Sequence, residues 1–233
     1  MVCSISTGLI NGMTERIIGL SSSHTQAYVA RDPDLMGNAQ VFSEFAHELS
    51  ASKGVTAVYP QVTSNALASS NGYRTGAQVR AIEPSIFQEN LAFSSLFEVK
   101  DGNLLDFSAG TKTCVVGEKL AQLISVKSGD SFSLITTKNI NDKIVPKLTR
   151  LKVAAVVSSG YQELDSLWVF VPLDTGYQFL PLKSSVFSVM IETEDAFSPC
   201  LSLVRKECYE DFSELLRKKD AGKCIFLSFP VPI

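Results

Sequence analysis

The side chains in this 233-residue sequence that could do covalent, acid-base or metal chemistry are sparse and scattered. There are two histidines, His24 and His47, and five cysteines, Cys3, Cys114, Cys200, Cys208 and Cys224. A zinc cage wants four nitrogen or sulfur donors, usually in closely spaced pairs, and no Cys-x-x-Cys pair occurs, so no metal site is expected. His24 follows Ser21, Ser22 and Ser23 in a polar loop, and His47 lies near Glu44 and Glu48 on the polar side of a helix. Both read as surface residues. Asp130 follows Gly129 directly, but general acid-base work needs a second carboxylate, a histidine or a metal beside it, and its sequence neighbours supply none. The pair reads instead as a turn, with glycine taking a positive φ and aspartate bonding nearby amides. Neither a Gly-x-Ser-x-Gly elbow nor a Gly-x-x-x-x-Gly-Lys-Ser/Thr phosphate loop is present. The sequence is therefore read as non-enzymatic, with no cofactor.

The elements that would carry these residues are well marked. A net charge of −3 gives no electrostatic reason to bind a polyanion, which sets nucleic acid aside, and 45% hydrophobic residues suffice for a core. No window reaches the roughly 18 to 20 uninterrupted apolar residues of a membrane-spanning helix. The N-terminal stretch also lacks the basic flank and cleavage site of a secretory signal. In "SISTGLINGMTERIIGLSS", Ile10, Met13, Ile17 and Leu20 recur at steps of three and four, which predicts a helix with one apolar stripe and no opening cap.

A strand, "HTQAYVA", follows, and then a helix with Phe42, Phe45, Ala46 and Leu49 on one face and Asn38 as its N-cap. "VTAVYPQV" and "RTGAQVRAIEP" read as strands joined by the polar loop "TSNALASSNGY", whose Asn71-Gly72 pair suits a tight reversal. Near the C-terminus the alternation of Phe187, Val189 and Ile191 predicts a strand. A helix from Ser198 and Pro199 to Gly222 comes next, and "CIFLSF" supplies a last strand. The two ends together spell a split β-α-β-β-α-β pattern, in which the strand at 186–191 should pair with the strand around Val79. Residues 84 to 183 lie between the halves and are β-rich, predicting a small antiparallel lobe. In it Trp168 and Phe170 sit in a strand apolar on both faces, which predicts burial.

The order of "NGMTERIIGL", "AIEPSIF", "LFEVKDGNLLDF", "VVGEKLAQLISVKSGDSFSLI" and "VFVPLDTGYQFL" resembles the extracytoplasmic domain of the MacB/FtsX-like ABC transporter permeases, most closely the LolC/LolE lipoprotein-releasing type. The most specific part is a Gly-Glu-x-Leu-Ala helix followed by Gly-Asp and a strand. The resemblance implies an α+β fold: a split ferredoxin-like (porter) subdomain at 25–83 and 184–233, an inserted small β-rich subdomain at 84–183, and a stalk helix at 1–24 continuing a transmembrane helix that lies outside this chain. It implies a periplasmic domain of an inner-membrane protein. Implied partners are a second permease subunit, a cytoplasmic ATPase, a periplasmic lipoprotein carrier and lipoprotein cargo. Efflux or mechanotransmission of the MacB kind, and FtsX-like regulation of a cell-wall hydrolase, are the alternative roles.

In the lipoprotein-releasing type a protruding hairpin engages the carrier, and the corresponding stretch is "TTKNINDKIVPKLTR", 136 to 150. The partner-binding residues so implied are Lys138, Asn139, Ile140, Asn141, Asp142, Lys143, Ile144, Val145, Lys147 and Arg150. Ile140, Ile144 and Val145 would form an apolar tip with Lys138, Lys143, Lys147 and Arg150 as a basic rim, a composition suited to anchoring a partner.

Overall fold

The structure, a computed structural model, describes residue 20 and residues 25–29, 33–51, 55–140, 143–193 and 225–228. Most of the predicted N-terminal helix and all of the predicted helix at 198–222 fall outside these residues.

The architecture is mixed α+β and is organised by one strand. β2 runs unbroken from Val55 to Ser70, turns at Asn71-Gly72 and returns as β3 (Tyr73–Ile82). Asn71 at φ 50° and Gly72 at φ 84° give the two left-handed residues that suit the twist of a two-residue hairpin. The turn was legible, but the loop predicted over 63–73 is strand up to Ser70. Its serines, alanines and asparagine read as polar punctuation, yet Ser64 and Ala68 are buried and β3 pairs with it from Gln61 to Ser70.

The other edge of β2 is divided. Val55 to Thr63 pair with β9 (Val186–Thr193), while Leu67 to Ser69 pair with β6 (Ser131–Ile140). Beyond β9 the sheet continues through β1 (Thr25–Val29) to β10 (Ile225–Ser228). From the second half of β2 it runs through β3, β8 (Trp168–Pro172), β5 (Thr113–Gly117) and β7 (Lys143–Ser158) to β6, which returns to β2 and closes a six-stranded barrel-like ring. β4 (Glu98–Gly102) adds to the far end of β7. Two expectations are corrected here. The strand at 186–191 pairs with β1 and β2, while Val79 on β3 lies opposite Val169 of β8. The inserted strands are also mixed, because β3–β8 and β5–β7 are parallel. Each of these pairs is joined by a long crossover of helices and strands, which a parallel pair requires and alternation within single strands does not reveal.

The helices cover the sheet where their apolar faces dictate. α1 (Pro33–Gly37) leads into α2 (Ala39–Glu48), whose Asn38 cap accepts from Gln40 N at 2.9 Å and whose Phe42, Phe45 and Ala46 are buried. The short α3 (Ile86–Glu89) and α4 (Leu91–Ser94) carry phenylalanines to the opposite face. α5 (Glu118–Leu123) follows β5, and the chain then reverses at Gly129, φ 87°, where Asp130 Oδ2 accepts from Lys127 N at 2.9 Å. Asp130 thus works within its own turn. α6 (Gln162–Asp165) precedes β8, and α7 (Leu173–Phe179) follows it.

Alternate residues of the shared strands feed two cores. One holds Phe42, Val62, Val79, Val116, Leu120, Phe132, Leu134, Leu151 and Val169, uniting α2 with the barrel interior. The other is aromatic: Phe87 meets Phe93, Phe97, Phe107 and Phe170 with ring centroids 5.4 to 5.8 Å apart, mostly edge to face. Trp168 and Phe170 are buried in this second core, as their strand predicted.

Arg80 projects from β3 into the aromatic core and is 3% exposed. Its Nε and Nη2 donate to Gln61 Oε1 at 3.0 and 2.7 Å, and Nη1 donates to the carbonyl of helical Leu20 at 3.0 Å. Its guanidinium carbon lies 4.8 Å from the Trp168 ring centroid and 5.3 Å from that of Phe170. Burial pulls its pKa down to about 10, so it stays charged at neutral pH, held by neutral acceptors and aromatic faces. Replacement of Arg80 by Met should lower unfolding free energy by about 2–4 kcal/mol, because Gln61 Oε1 and the Leu20 carbonyl lose their donor. Adding Gln61→Leu should recover part of that loss. Urea unfolding of the two single variants and the pair checks this, and additive losses would refute the coupling.

Candidate docking site

The hairpin expected from the sequence is present as the paired ends of β6 and β7. Register is continuous from Ser131 opposite Lys152 to Ile140 opposite Lys143. β2 leaves β6 after Ile135, so from Thr136 outward the two strands pair with each other alone among the described strands. Two neighbouring carbonyls hold the base. Thr136 Oγ1, buried, donates to the Phe179 carbonyl at 3.0 Å, and Lys147 Nζ donates to the Gln178 carbonyl at 2.5 Å. Both acceptors end α7, where the last carbonyls lack partners within the helix and a cation is favoured.

The predicted partner-binding residues therefore divide. The backbones of Lys138, Asn139, Ile140, Lys143 and Ile144 form the outer rungs, and their side chains lie outside what the structure describes. Asn141 and Asp142, at the turn, are outside the described residues altogether. Val145, expected at the apolar tip, is 41% exposed. Lys147 and Arg150 sit lower, on the walls of a groove beside β7.

That groove was not read from the sequence. It is about 510 Å³, lies between β7 and α7, and is lined by Lys112, Lys147, Leu148, Arg150, Lys152, Thr175 and Gln178 among others, none of them a carboxylate. The alternation of Arg150 and Lys152 along one strand face was the only local signal, since Lys112 arrives from the turn before β5. An apolar row crosses the same strands. Leu67, Ile135 and Leu148 are directly opposite one another on β2, β6 and β7, and Leu148 is 65% exposed.

The other polar constellations are structural. Asp165 is buried, but Ser158 Oγ, Ser159 N and Ser159 Oγ donate to it at 2.9, 2.8 and 2.6 Å. The Cys114 thiol is buried and its pKa pushed up by desolvation, which leaves it unreactive. His47 Nε2 meets Glu83 Oε2 at 3.1 Å at the surface.

Comparison with known proteins agrees with this arrangement. The MacB-like periplasmic core domain family matches residues 1–199. The lipoprotein-releasing system transmembrane protein LolC of Neisseria meningitidis serogroup B is 28% identical over 145 residues, which is 61% of this chain and 34% of that protein. The chain thus spans about a third of the length of this relative. The periplasmic region of MacB from Actinobacillus actinomycetemcomitans superposes with a TM-score of 0.55 at 17% identity, covering 89% of each chain. The extracellular domain of the noncanonic ABC-type transporter YknZ from Gram-positive bacteria gives 0.53 at 15% identity, covering 87% of this chain and 98% of that one. At such identities the structural likeness speaks for the fold.

Replacement of Thr136 by Val should cost about 1–2 kcal/mol, by orphaning a helix-terminal carbonyl in a buried place. It should also speed amide exchange along the outer rungs of β6 and β7. Exchange confined to its parental rates would show that the bond to Phe179 does not brace the hairpin.

Proposed function

This chain belongs to the MacB-like periplasmic core domain family, a non-catalytic periplasmic part of ABC permeases, and we propose that it serves a permease of the lipoprotein-releasing type. On this reading it couples movement driven by a cytoplasmic ATPase to the release of lipoprotein cargo, and its β6–β7 hairpin docks a soluble periplasmic carrier. A second permease subunit completes the assembly. We read 25–83 and 184–233 as a porter-like unit, with 84–183 inserted and the stalk at 1–24. The second half of β2, together with β3, is built into the barrel of the insert.

The observation that carries the lipoprotein-releasing reading is the 28% identity to LolC, a protein whose name states that role. The hairpin supports it, since two strands continuing past their last barrel neighbour present a narrow projection that a carrier could enclose. MacB-like efflux shares the fold through a structure of 17% identity, which carries no cargo with it.

The docking claim separates two kinds of substitution. Ile140→Ser with Ile144→Ser should leave the fold intact, because these residues lie beyond the barrel, and should speed dissociation from the soluble lipoprotein carrier roughly ten-fold through loss of apolar anchors. Lys138→Ser with Lys143→Ser should chiefly slow association and flatten its salt dependence. Surface binding kinetics at low and physiological salt would read both. Parental kinetics in the isoleucine variant would remove the hairpin as the docking site. Capture of a tunnel-forming outer-membrane protein or of a cell-wall hydrolase in place of the carrier would favour the MacB-like or FtsX-like role.

A further inference from the structure

The edge of β7 that faces away from β6 is occupied only in its second half. β5 pairs along Lys152 to Val157, and Lys152 N donates to the Lys112 carbonyl at 2.9 Å on that edge. Backbone groups alternate between the two edges of a strand, so Leu148 and Arg150 aim their N–H and C=O the same way as Lys152, out of the β6 ladder. No described strand lies opposite them there. The space they face is the groove bounded by α7, with Lys112, Lys147, Arg150 and Lys152 around it and no carboxylate among its lining residues. This concentration of positive charge stands on a chain whose net charge is −3. Pro146, which lacks an N–H, limits the available edge on the hairpin side.

We propose that this groove receives an extended acidic segment of a partner protein, which adds as a short strand to the Leu148–Arg150 edge of β7 and places its carboxylates among Lys112, Arg150 and Lys152. An exposed strand edge offers main-chain hydrogen bonds to any extended peptide, and the flanking charges select the acidic one. Exposed Leu148 gives an apolar contact for alternate residues of the incoming segment. A bound phosphate or anionic lipid headgroup would use the cations but would leave the backbone edge idle, so the acidic peptide accounts for more of what is there. The surface is separate from the hairpin tip, and its test needs no carrier.

The probe is the peptide acetyl-(Val-Glu)4-amide, with acetyl-(Val-Lys)4-amide as its counterpart, titrated into the whole chain with amide exchange followed residue by residue. The acidic peptide should slow exchange at the Leu148 and Arg150 amides at least ten-fold and saturably, and the basic one should not. Leu148→Pro removes one edge donor that β6 does not use, and should abolish this binding. Lys112→Gln with Arg150→Gln and Lys152→Gln should weaken it at least ten-fold and reduce its dependence on salt; this variant carries the test if the proline variant misfolds. Unchanged exchange at both amides with the acidic peptide would overturn the proposal. So would binding of inorganic phosphate or phosphatidylglycerol vesicles at these cations without the peptide.

Discussion

Much of this structure hangs on one buried cation. Arg80 comes from β3, its main side-chain acceptor Gln61 from β2, and its backbone acceptor from Leu20, while Trp168 and Phe170 on β8 supply the aromatic faces. Met190 of β9 approaches the same guanidinium through its sulfur at 3.8 Å. A buried charge is costly, and no described carboxylate bonds to it, so its position is tolerated only while all these neutral partners stay aligned. Movement of the Leu20 carbonyl away from β3 would leave a guanidinium donor unsatisfied in a dry core. The cost of separation is thus concentrated at one point. The Leu20 carbonyl, the barrel strands β3 and β8, and β9 are held in one mutual register by that point.

β2 extends the same constraint along the molecule. Its first half belongs to the ladder with β9 and its second half to the barrel with β6, while β3 spans the exchange. A hinge between the two sheets would have to break or bend a continuous strand. The exchange occurs between Thr63 and Leu67, where the partner on one edge changes and Ser64, Asn65 and Ala66 have no β9 or β6 opposite them. Small side chains suit that crossing, because β9 ends beside it and β6 parts from β2 there to continue into the hairpin. Such a joint is stiffer than a flexible linker would be.

This is also where the sequence was hardest to read. Local rules located the Asn38 cap, the Asn71-Gly72 turn, the Gly129-Asp130 reversal and the buried strands β8 and β9, because each depends on neighbours a few residues apart. The run "TSNALASS" has the composition of a loop, and only pairing with strands that lie far along the chain makes it β. The parallel pairs failed for the same reason, since direction is settled by crossovers and not by alternation. Arg80 gave no sign of burial either. Its acceptors at Leu20 and Gln61 and its aromatic neighbours at Trp168 and Phe170 are brought together only by the fold. The Gly-Glu-x-Leu-Ala motif located the family and the hairpin, yet the groove beside the hairpin needs Lys112, β7 and α7 together.

The hairpin and the groove draw on one physical device. α7 ends with carbonyls that its own helix cannot satisfy, and Thr136 and Lys147 satisfy two of them from the base of the hairpin. That closes the inner side of the β6–β7 ladder against α7 and fixes where the two strands leave the barrel. It also sets the distance between α7 and β7 below that point, which is the width of the groove. A strand edge at Leu148 and Arg150 stays uncovered because the residues before β5 turn away toward Asp174, whose Oδ2 accepts from Gly110 N at 2.6 Å. A straighter approach to β5 would have carried that strand past Lys152 and covered the edge. The bond that draws Gly110 aside, and the two that brace α7, therefore shape the open surface of this domain more directly than any residue on the surface itself.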